Sequence, residues 1–265
     1  MRRLALVLAA LLPAAGPAAA QSLPSLPVFL NGPTHLDTGN TLQGAAPYGN
    51  PIADDRRYAN VFFDQFEGRL ANGSYFRWDG QGWVGDDFNK LWLKTEGRYN
   101  ADGRGLVSDG DQELLYSRPV STYFDAQVGV RSDIDSLRNR TWAAFGVEGL
   151  SWGFWNLGLT GYASDGGHFA FRSNASYDLY ITQRLVLQPQ METNIYSKAD
   201  RGREIGSGLS DIDSGLRLRY EFTREFAPYV GVAYQRFFGG TADYRRRAGE
   251  GSGDLRALTG LRFWF

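Results

Sequence analysis

The chain has no cysteine, so neither a disulfide framework nor a thiolate metal site is open to it. Its only histidines are His35 and His168, and it has two methionines, one of them the initiator, so the side chains that best hold soft or borderline metals are scarce. Basic and acidic residues almost balance, 28 against 29, which leaves no cationic excess to recognise nucleic acid. Beyond the first twenty residues no apolar run approaches the ~18 residues of a membrane-spanning helix, and the mean hydropathy is −0.36. A transmembrane helix is therefore excluded there. Strands can still cross a bilayer, because each needs only one apolar face.

The first twenty residues read as a secretory signal peptide. Met1-Arg2-Arg3 opens it, an apolar run follows from Leu4 to Leu12, Pro13 and Pro17 break it, and Ala18-Ala19-Ala20 supplies small residues before Gln21. The paired arginines are read as ordinary leader charge rather than a twin-arginine signal, because no further motif surrounds them. Removing Arg2 and Arg3 leaves 26 basic residues against 29 acidic, a net charge of −3. Proline is then confined mostly to the N-terminal part: Pro13, Pro17, Pro24, Pro27, Pro33, Pro47 and Pro51 all precede residue 57. With Gly32, Gly39, Gly44 and Gly49 and no sustained period, residues 21–57 are expected to be an extended or disordered periplasmic segment, or alternatively a plug.

From residue 58 to 265 the pattern changes to alternation and aromatics. Twelve candidate strands follow: 59–70, 74–84, 89–100, 111–118, 122–132, 140–149, 154–163, 168–180, 183–197, 210–222, 226–238 and 254–265. The clearest sets Asp213, Gly215, Arg217, Arg219 and Glu221 against the largely apolar Ile212, Ser214, Leu216, Leu218, Tyr220 and Phe222. A soluble sandwich also alternates, but here the inward positions carry Arg, Glu and Asp at mid-strand. Burying those in an ordinary core is costly, whereas a polar lumen accommodates them.

Connection lengths give a second test. With both termini periplasmic, every second connection should be a short periplasmic turn. Gly85 to Phe88, Pro119 to Ser121, Leu150 to Gly153, Ile181 to Thr182 and Thr223 to Glu225 are short, while of the outer connections Ala101 to Gly110, Lys198 to Leu209 and Gly239 to Gly253 are long and Ala71 to Gly73 and Ser164 to Gly167 are short. The same parity returns Phe265 to the periplasmic side. The expected fold is an all-β, antiparallel, up-and-down transmembrane β-barrel of about twelve strands. Phe62, Phe66, Trp155, Tyr177, Tyr180, Tyr220, Phe222, Phe226 and Phe263 are expected in interfacial girdles. Pro189 falls inside a strand, where it removes a ladder donor, so a bulge or a water bridge is required there. Partners expected of such a chain are outer-membrane lipids and, through the C-terminal strand, the barrel-assembly machinery.

Catalysis finds little support. A His-x-Ser pair on one strand face would suit acyl transfer, but position 170 is Ala and Ser173 lies on the opposite face from His168. His35 has Asp37 nearby and no organised nucleophile. The acidic pairs Asp211/Asp213 and Asp133/Asp135 read as strand-end or wall charge balanced by arginine, with a bound cation as the alternative. The chain is not expected to be an enzyme.

Several blocks occur together: Phe63-Asp64-Gln65-Phe66-Glu67, Trp78-Asp79-Gly80-Gln81-Gly82-Trp83-Val84-Gly85, Leu91-Trp92-Leu93-Lys94-Thr95-Glu96-Gly97 and Glu113-Leu114-Leu115-Tyr116-Ser117-Arg118. Leu179 to Pro189, Ile205 to Asp211, Glu225 to Val232, Gly239 to Tyr244 and Gly260 to Phe265 continue the series. From about Phe62 to Phe265 the chain resembles the outer-membrane copper resistance protein B family. The resemblance implies a role in copper tolerance, by binding copper or moving it across the outer membrane, alongside periplasmic copper-handling proteins. Family members often carry a Met/His-rich segment before the barrel, whereas Gln21 to Arg56 contains no Met and only His35. High-capacity sequestration is therefore not expected of this segment. Copper, if it meets the chain, has His35 and His168 as imidazole candidates, with a weak lumen path of oxygen and nitrogen groups: Gln65, Glu67, Asp125, Gln127, Glu148, Arg172, Asp178, Gln188, Gln190, Glu192 and Asp213. The alternative function is a general small-solute porin, or a structural barrel whose polar wall simply fills a narrow pore.

Overall fold

The computed structural model describes residues 57–71, 73–100, 107–134 and 139–265, with side chains described from residue 110 onward in the strand that starts at 107. The leader, the 21–57 segment up to residue 56, and His35 lie outside the described residues. The strands are β1 (Tyr58–Leu70), β2 (Tyr75–Gly85), β3 (Lys90–Asn100), β4 (Val107–Pro119), β5 (Phe124–Ile134), β6 (Arg140–Leu150), β7 (Asn156–Ser164), β8 (His168–Ser176), β9 (Leu179–Tyr180), β10 (Leu185–Tyr196), β11 (Gly208–Tyr220), β12 (Phe226–Phe237) and β13 (Gly253–Trp264). Each long strand pairs antiparallel with the next long strand in sequence, β8 pairs with β10 past the two-residue β9, and β1 pairs with β13. Twelve long strands thus close into one antiparallel barrel without a free edge, the arrangement that satisfies every ladder group inside a bilayer. No helix among the described residues is long and apolar enough to cross a membrane.

The seam between β1 and β13 is locked by the last residue. Val61 donates to the Phe265 carbonyl at 3.0 Å and Phe265 donates back to the Val61 carbonyl at 2.9 Å. Burial alternates as the sequence pattern requires, but inside out relative to a soluble protein. Leu216, Leu218, Val230 and Val232 on the outer face are exposed, while Arg217 and Arg219 between them are almost fully buried in the lumen. Apolar side chains pointing away from the protein on every wall are what a lipid solvent selects. Fully exposed Trp152, with Phe88, Tyr123, Tyr180 and Phe222, marks the turns at the end of the barrel where the termini lie. In one of those turns the Asp86 carboxylate accepts from the backbone N–H groups of Asn89 at 2.6 Å and Phe88 at 2.8 Å, which holds it below the usual carboxylate range.

Three local features depart from the sequence reading. The first is a bulge in β1: the register to β2 shifts between Phe63 and Gln65. Before it the even residues face inward, and after it the odd ones do, so Phe62 meets the lumen residue Trp92 edge-on at 6.0 Å instead of joining an interfacial girdle. Phe63, on the outer face, stacks on Phe263 at 4.9 Å.

The second is the strand expected over 168–180, which breaks after Ser176 and resumes as β9. The cause is Pro189. Tyr177 donates to the Pro189 carbonyl at 3.1 Å, so the missing Pro189 N–H faces the same neighbour and the β8–β10 ladder lapses at residues 177 and 178. On its other side Pro189 pairs with Leu216 without interruption. Pro189→Val is expected to restore one ladder bond and to stabilise the barrel by about 1 kcal/mol. Slower amide exchange at residues 177–179 would register it, and unchanged exchange there would show that the break has another cause.

The third is a helix in the last long connection, α1 (Gly239–Arg247). Arg245, Arg246 and Arg247 occupy its last turn, where positive charge complements the helix dipole, and Arg246 pairs with Asp243. The Thr241 hydroxyl accepts from Gly206 N–H at 2.9 Å and shares a 3.0 Å hydrogen bond with Ser210, tying α1 to the connection between β10 and β11.

Candidate functional site in the barrel lumen

The lumen is built from the inward faces of strands whose sequence alternates charge with apolar bulk. Its centre is a continuous chain of guanidinium and carboxylate groups. Glu67 on β1, fully buried, accepts from Arg69 Nε at 2.7 Å and from Arg217 on β11 through two bonds of 2.9 and 3.0 Å. Arg69 continues to Asp213 at 2.6 Å, and Asp213 also accepts from Arg77 at 3.1 Å. Arg77 pairs with Glu96 on β3 and, at 3.1 Å, with Glu192 on β10. Arg172 on β8 then joins Glu96 at 3.2 Å to Asp111 on β4 at 2.9 Å. Arg131 carries the chain from Asp111 (2.9 Å) to Asp133 (2.7 Å), which Arg203 reaches at 2.8 Å.

These pairs reach across the lumen. β1 is linked to β11, β2 to β10, and β8 to β3 and β4, none of which are neighbours in the wall. Arginine suits the task because its planar fork can serve two or three carboxylates from one stem. A second tier lies nearer the termini: Lys94 bonds Glu148 at 2.5 Å and Gln127 at 3.1 Å, Lys90 bonds Asp125 at 3.2 Å, and Arg219 bonds Asp178 at 3.0 Å. Between side chains, one void is bounded by Arg131, Trp142, Tyr162 and Tyr196, and another by Gln65, Arg69, Arg77, Gln190 and Arg217; each is about 10 Å³. That is room for about one water molecule.

The residues singled out from sequence fall into this arrangement as follows. Glu67, Arg172, Glu192 and Asp213 are members of the central chain. Asp125, Gln127, Glu148 and Asp178 belong to the tier near the termini. Gln65 donates to Gln190 at 3.2 Å, and Gln188 shares the inward face of Gln190 opposite Arg217 in the β11 register. His168 is the first residue of β8, partly exposed at the mouth far from the termini, beside Gly166. Arg69, Arg77, Glu96, Asp111 and Arg131 are further members that the sequence reading does not single out; Arg69 sits two residues from Glu67 and Arg77 is the partner of Glu67 in the β1–β2 register. The signal was the shared inward face. What it lacked was any indication of which residues meet across the lumen.

The donor set does not fit a resident copper ion. Among the described residues no group of three or more His, Cys, Asp or Glu side chains could hold a metal. The central carboxylates are committed to guanidinium groups, and Met191, the one thioether among the described residues, is half exposed on the lipid face.

The family model described as copper resistance protein B precursor (CopB) matches residues 57–265, the whole barrel. The chain belongs to the copper resistance protein B family. It is 40% identical over 218 residues to copper resistance protein B of Escherichia coli and, over the same length, to a copper resistance protein B homolog of Pseudomonas syringae pv. tomato. Each alignment covers 82% of this chain and 73% of the relative. Among solved structures the chain is similar to the NanC porin, with TM-score 0.49 and 12% identity, and to the KdgM porin, with TM-score 0.45 and 13% identity; each match covers 78% of this chain and 99% of the other. Like the family, this copper resistance protein B barrel is an outer-membrane protein, with its lipid-facing belt outside and its charge inside.

Proposed function

We propose that this family member supports copper tolerance by letting copper ions cross the outer membrane through weak, exchangeable contacts in the lumen, without storing them. The observation that carries this reading is the family match over the whole barrel, set beside a lumen rich in carboxylate and amide oxygens and poor in imidazole and sulfur. Such oxygens hold a borderline cation loosely, which suits passage. No catalytic step is proposed, since Ala170 shares the face of His168 and Ser173 faces lipid.

The test is a strain lacking the gene, complemented with the wild-type chain and grown in graded copper while cell copper is measured. A copper-dependent growth defect with altered cell copper, both restored by the gene, supports the proposal. The donor set itself favours a second reading, a barrel for small solutes in general. Unchanged copper response with altered uptake of unrelated small solutes would establish that reading instead.

The histidines give an independent check. Cu(II) titration of the purified barrel is expected to change little in His168→Ala or His35→Ala. A single tight equivalent that vanishes in either variant would make that histidine a ligand and overturn the loose-contact mechanism.

A further inference from the structure

We propose that Asp79, with the amide oxygens of Gln65 and Gln81, forms a binding site in the lumen wall for a hard, oxygen-seeking cation such as Ca²⁺. Asp79 stands out among the inward carboxylates of the central tier. Glu67, Glu96, Asp111, Glu192 and Asp213 each meet at least one arginine, as described above. No ion pair joins Asp79 to any described residue. Arg77, two residues along the same face, gives its terminal nitrogens to Glu96, Glu192 and Asp213, and its Nε finds no acceptor at all. Asp79 is partly accessible within the lumen, and its cross-strand neighbour on β3 is Glu96, so negative charge accumulates there.

The second observation concerns two amides. Gln65, only 2% exposed, lies directly opposite Asp79 in the β1–β2 register, and its Oε1 is buried with no partner. Gln81 is the next inward residue after Asp79 on β2, and its Oε1 is likewise buried with no partner. The orientation of both amides is fixed by their nitrogens. Gln65 Nε2 donates to Gln190 Oε1, which must be an oxygen because Arg217 also donates to it at 2.8 Å. Gln81 Nε2 donates to an Asp64 carboxylate oxygen. A flip of either amide would set two acceptors or two donors against each other, so the orphan atoms are oxygens.

The carboxylate and its two neighbouring acceptor oxygens have no ion-pair partner among the described residues, and Arg77 and Lys94 act on Asp79 only from beyond ion-pair distance. A proton on Asp79 would satisfy one of the amide oxygens, whereas a cation satisfies both. Carboxylate and amide oxygens without sulfur or imidazole are the donor set of hard ions such as Ca²⁺ and Mn²⁺, with water completing the shell. The site is distinct from the copper reading and stands or falls without it.

The full chain, folded in detergent and free of copper, should be titrated with Tb³⁺ as a Ca²⁺ substitute, with luminescence excited through tryptophan. Trp83 is the next inward residue after Gln81 and is placed to sensitise it. A saturable signal that Ca²⁺ displaces is expected, weakened about tenfold or more in Asp79→Asn, because affinity in such sites follows the count of charged ligands. Gln81→Leu should weaken it by a smaller factor, and Asp165→Asn in an exposed outer turn should leave it unchanged. Heat-modifiable migration confirms that each variant is folded, and Gln81→Leu carries the test if Asp79→Asn is not. A saturable signal equal in wild type and the folded site variants, or no saturable signal in wild type, would overturn the site. Neither result bears on copper tolerance, which is read from cells.

Discussion

Arg172→Ala is expected to raise the single-channel conductance of the reconstituted barrel roughly tenfold, the effect of lowering an ion's barrier by about 1.4 kcal/mol. Arg172 projects from β8 across the lumen to Glu96 on β3 and Asp111 on β4. Together with Arg77, which meets it at Glu96, it spans the middle of the pore, and two voids bounded by lumen side chains are water-sized. Its removal does two things at once. It clears room for several waters, and it leaves Glu96 and Asp111 with less compensating charge, which favours cations in the pore. The variant should therefore become more cation-selective as well as more conductive. Arg172→Lys separates the two effects, because it keeps the charge but loses the fork that spans both carboxylates. It should conduct less than the alanine variant and show little change in selectivity. Unchanged conductance in a folded Arg172→Ala barrel would show that the block lies elsewhere along the lumen.

The same geometry implies how a copper ion passes in the proposed mechanism. Apart from Asp79, the central carboxylates are paired with arginine, so an ion gains one of them only as an arginine gives it up. On that proposal, a chain of exchangeable pairs would admit an ion by local rearrangement rather than through a standing open channel. Each exchange substitutes one cation for another at the same oxygen, and this keeps the cost below that of exposing an unpaired buried charge.

Much of this was legible in the sequence, and the reason is the pleat. Period two in Ile212 to Phe222 assigns each residue to a face, turn parity assigns each end to a side, and the two together require closure. That logic failed where the period itself slips. The bulge at Phe63 to Gln65 has no mark in composition, so Phe62 was placed outside when it lies inside. Pro189 was a visible obstacle, and it disrupts only the ladder toward β8, because a strand residue directs both of its backbone groups to a single neighbour. The helix over Gly239–Arg247 begins with two glycines and has no hydrophobic face, so it reads as a loop. Cross-lumen pairing was the least legible. Alternation shows that Arg69, Arg77 and Arg131 point inward, but partners separated by more than a hundred residues, such as Glu67 and Arg217, are set by barrel curvature and strand stagger, which a single sequence does not display.

Glu67→Ala is expected to cost the barrel about 3–5 kcal/mol, the usual penalty for removing one partner of a buried ion pair. Glu67 is fully buried, and its two oxygens take four hydrogen bonds: one from Arg69, two from Arg217 and one of 3.0 Å from the Tyr229 hydroxyl. Truncation leaves the Arg217 guanidinium, itself almost fully buried, with Gln190 as its remaining acceptor. Arg69 fares better, because Asp213 still holds it. Glu67→Gln should lie between alanine and wild type, since it keeps an acceptor oxygen and the shape but not the charge. The contribution belongs to the pair and not to either residue, so the double variant Glu67→Leu with Arg217→Met should recover most of the loss: apolar groups of similar volume avoid the desolvation that the ions incur. Urea unfolding in detergent, followed by the heat-modifiable band and by tryptophan fluorescence, measures all four proteins. A Glu67→Ala barrel within about 0.5 kcal/mol of wild type, the range of an ordinary surface change, would show that water in the lumen already screens this pair and that the central chain does not hold the wall together.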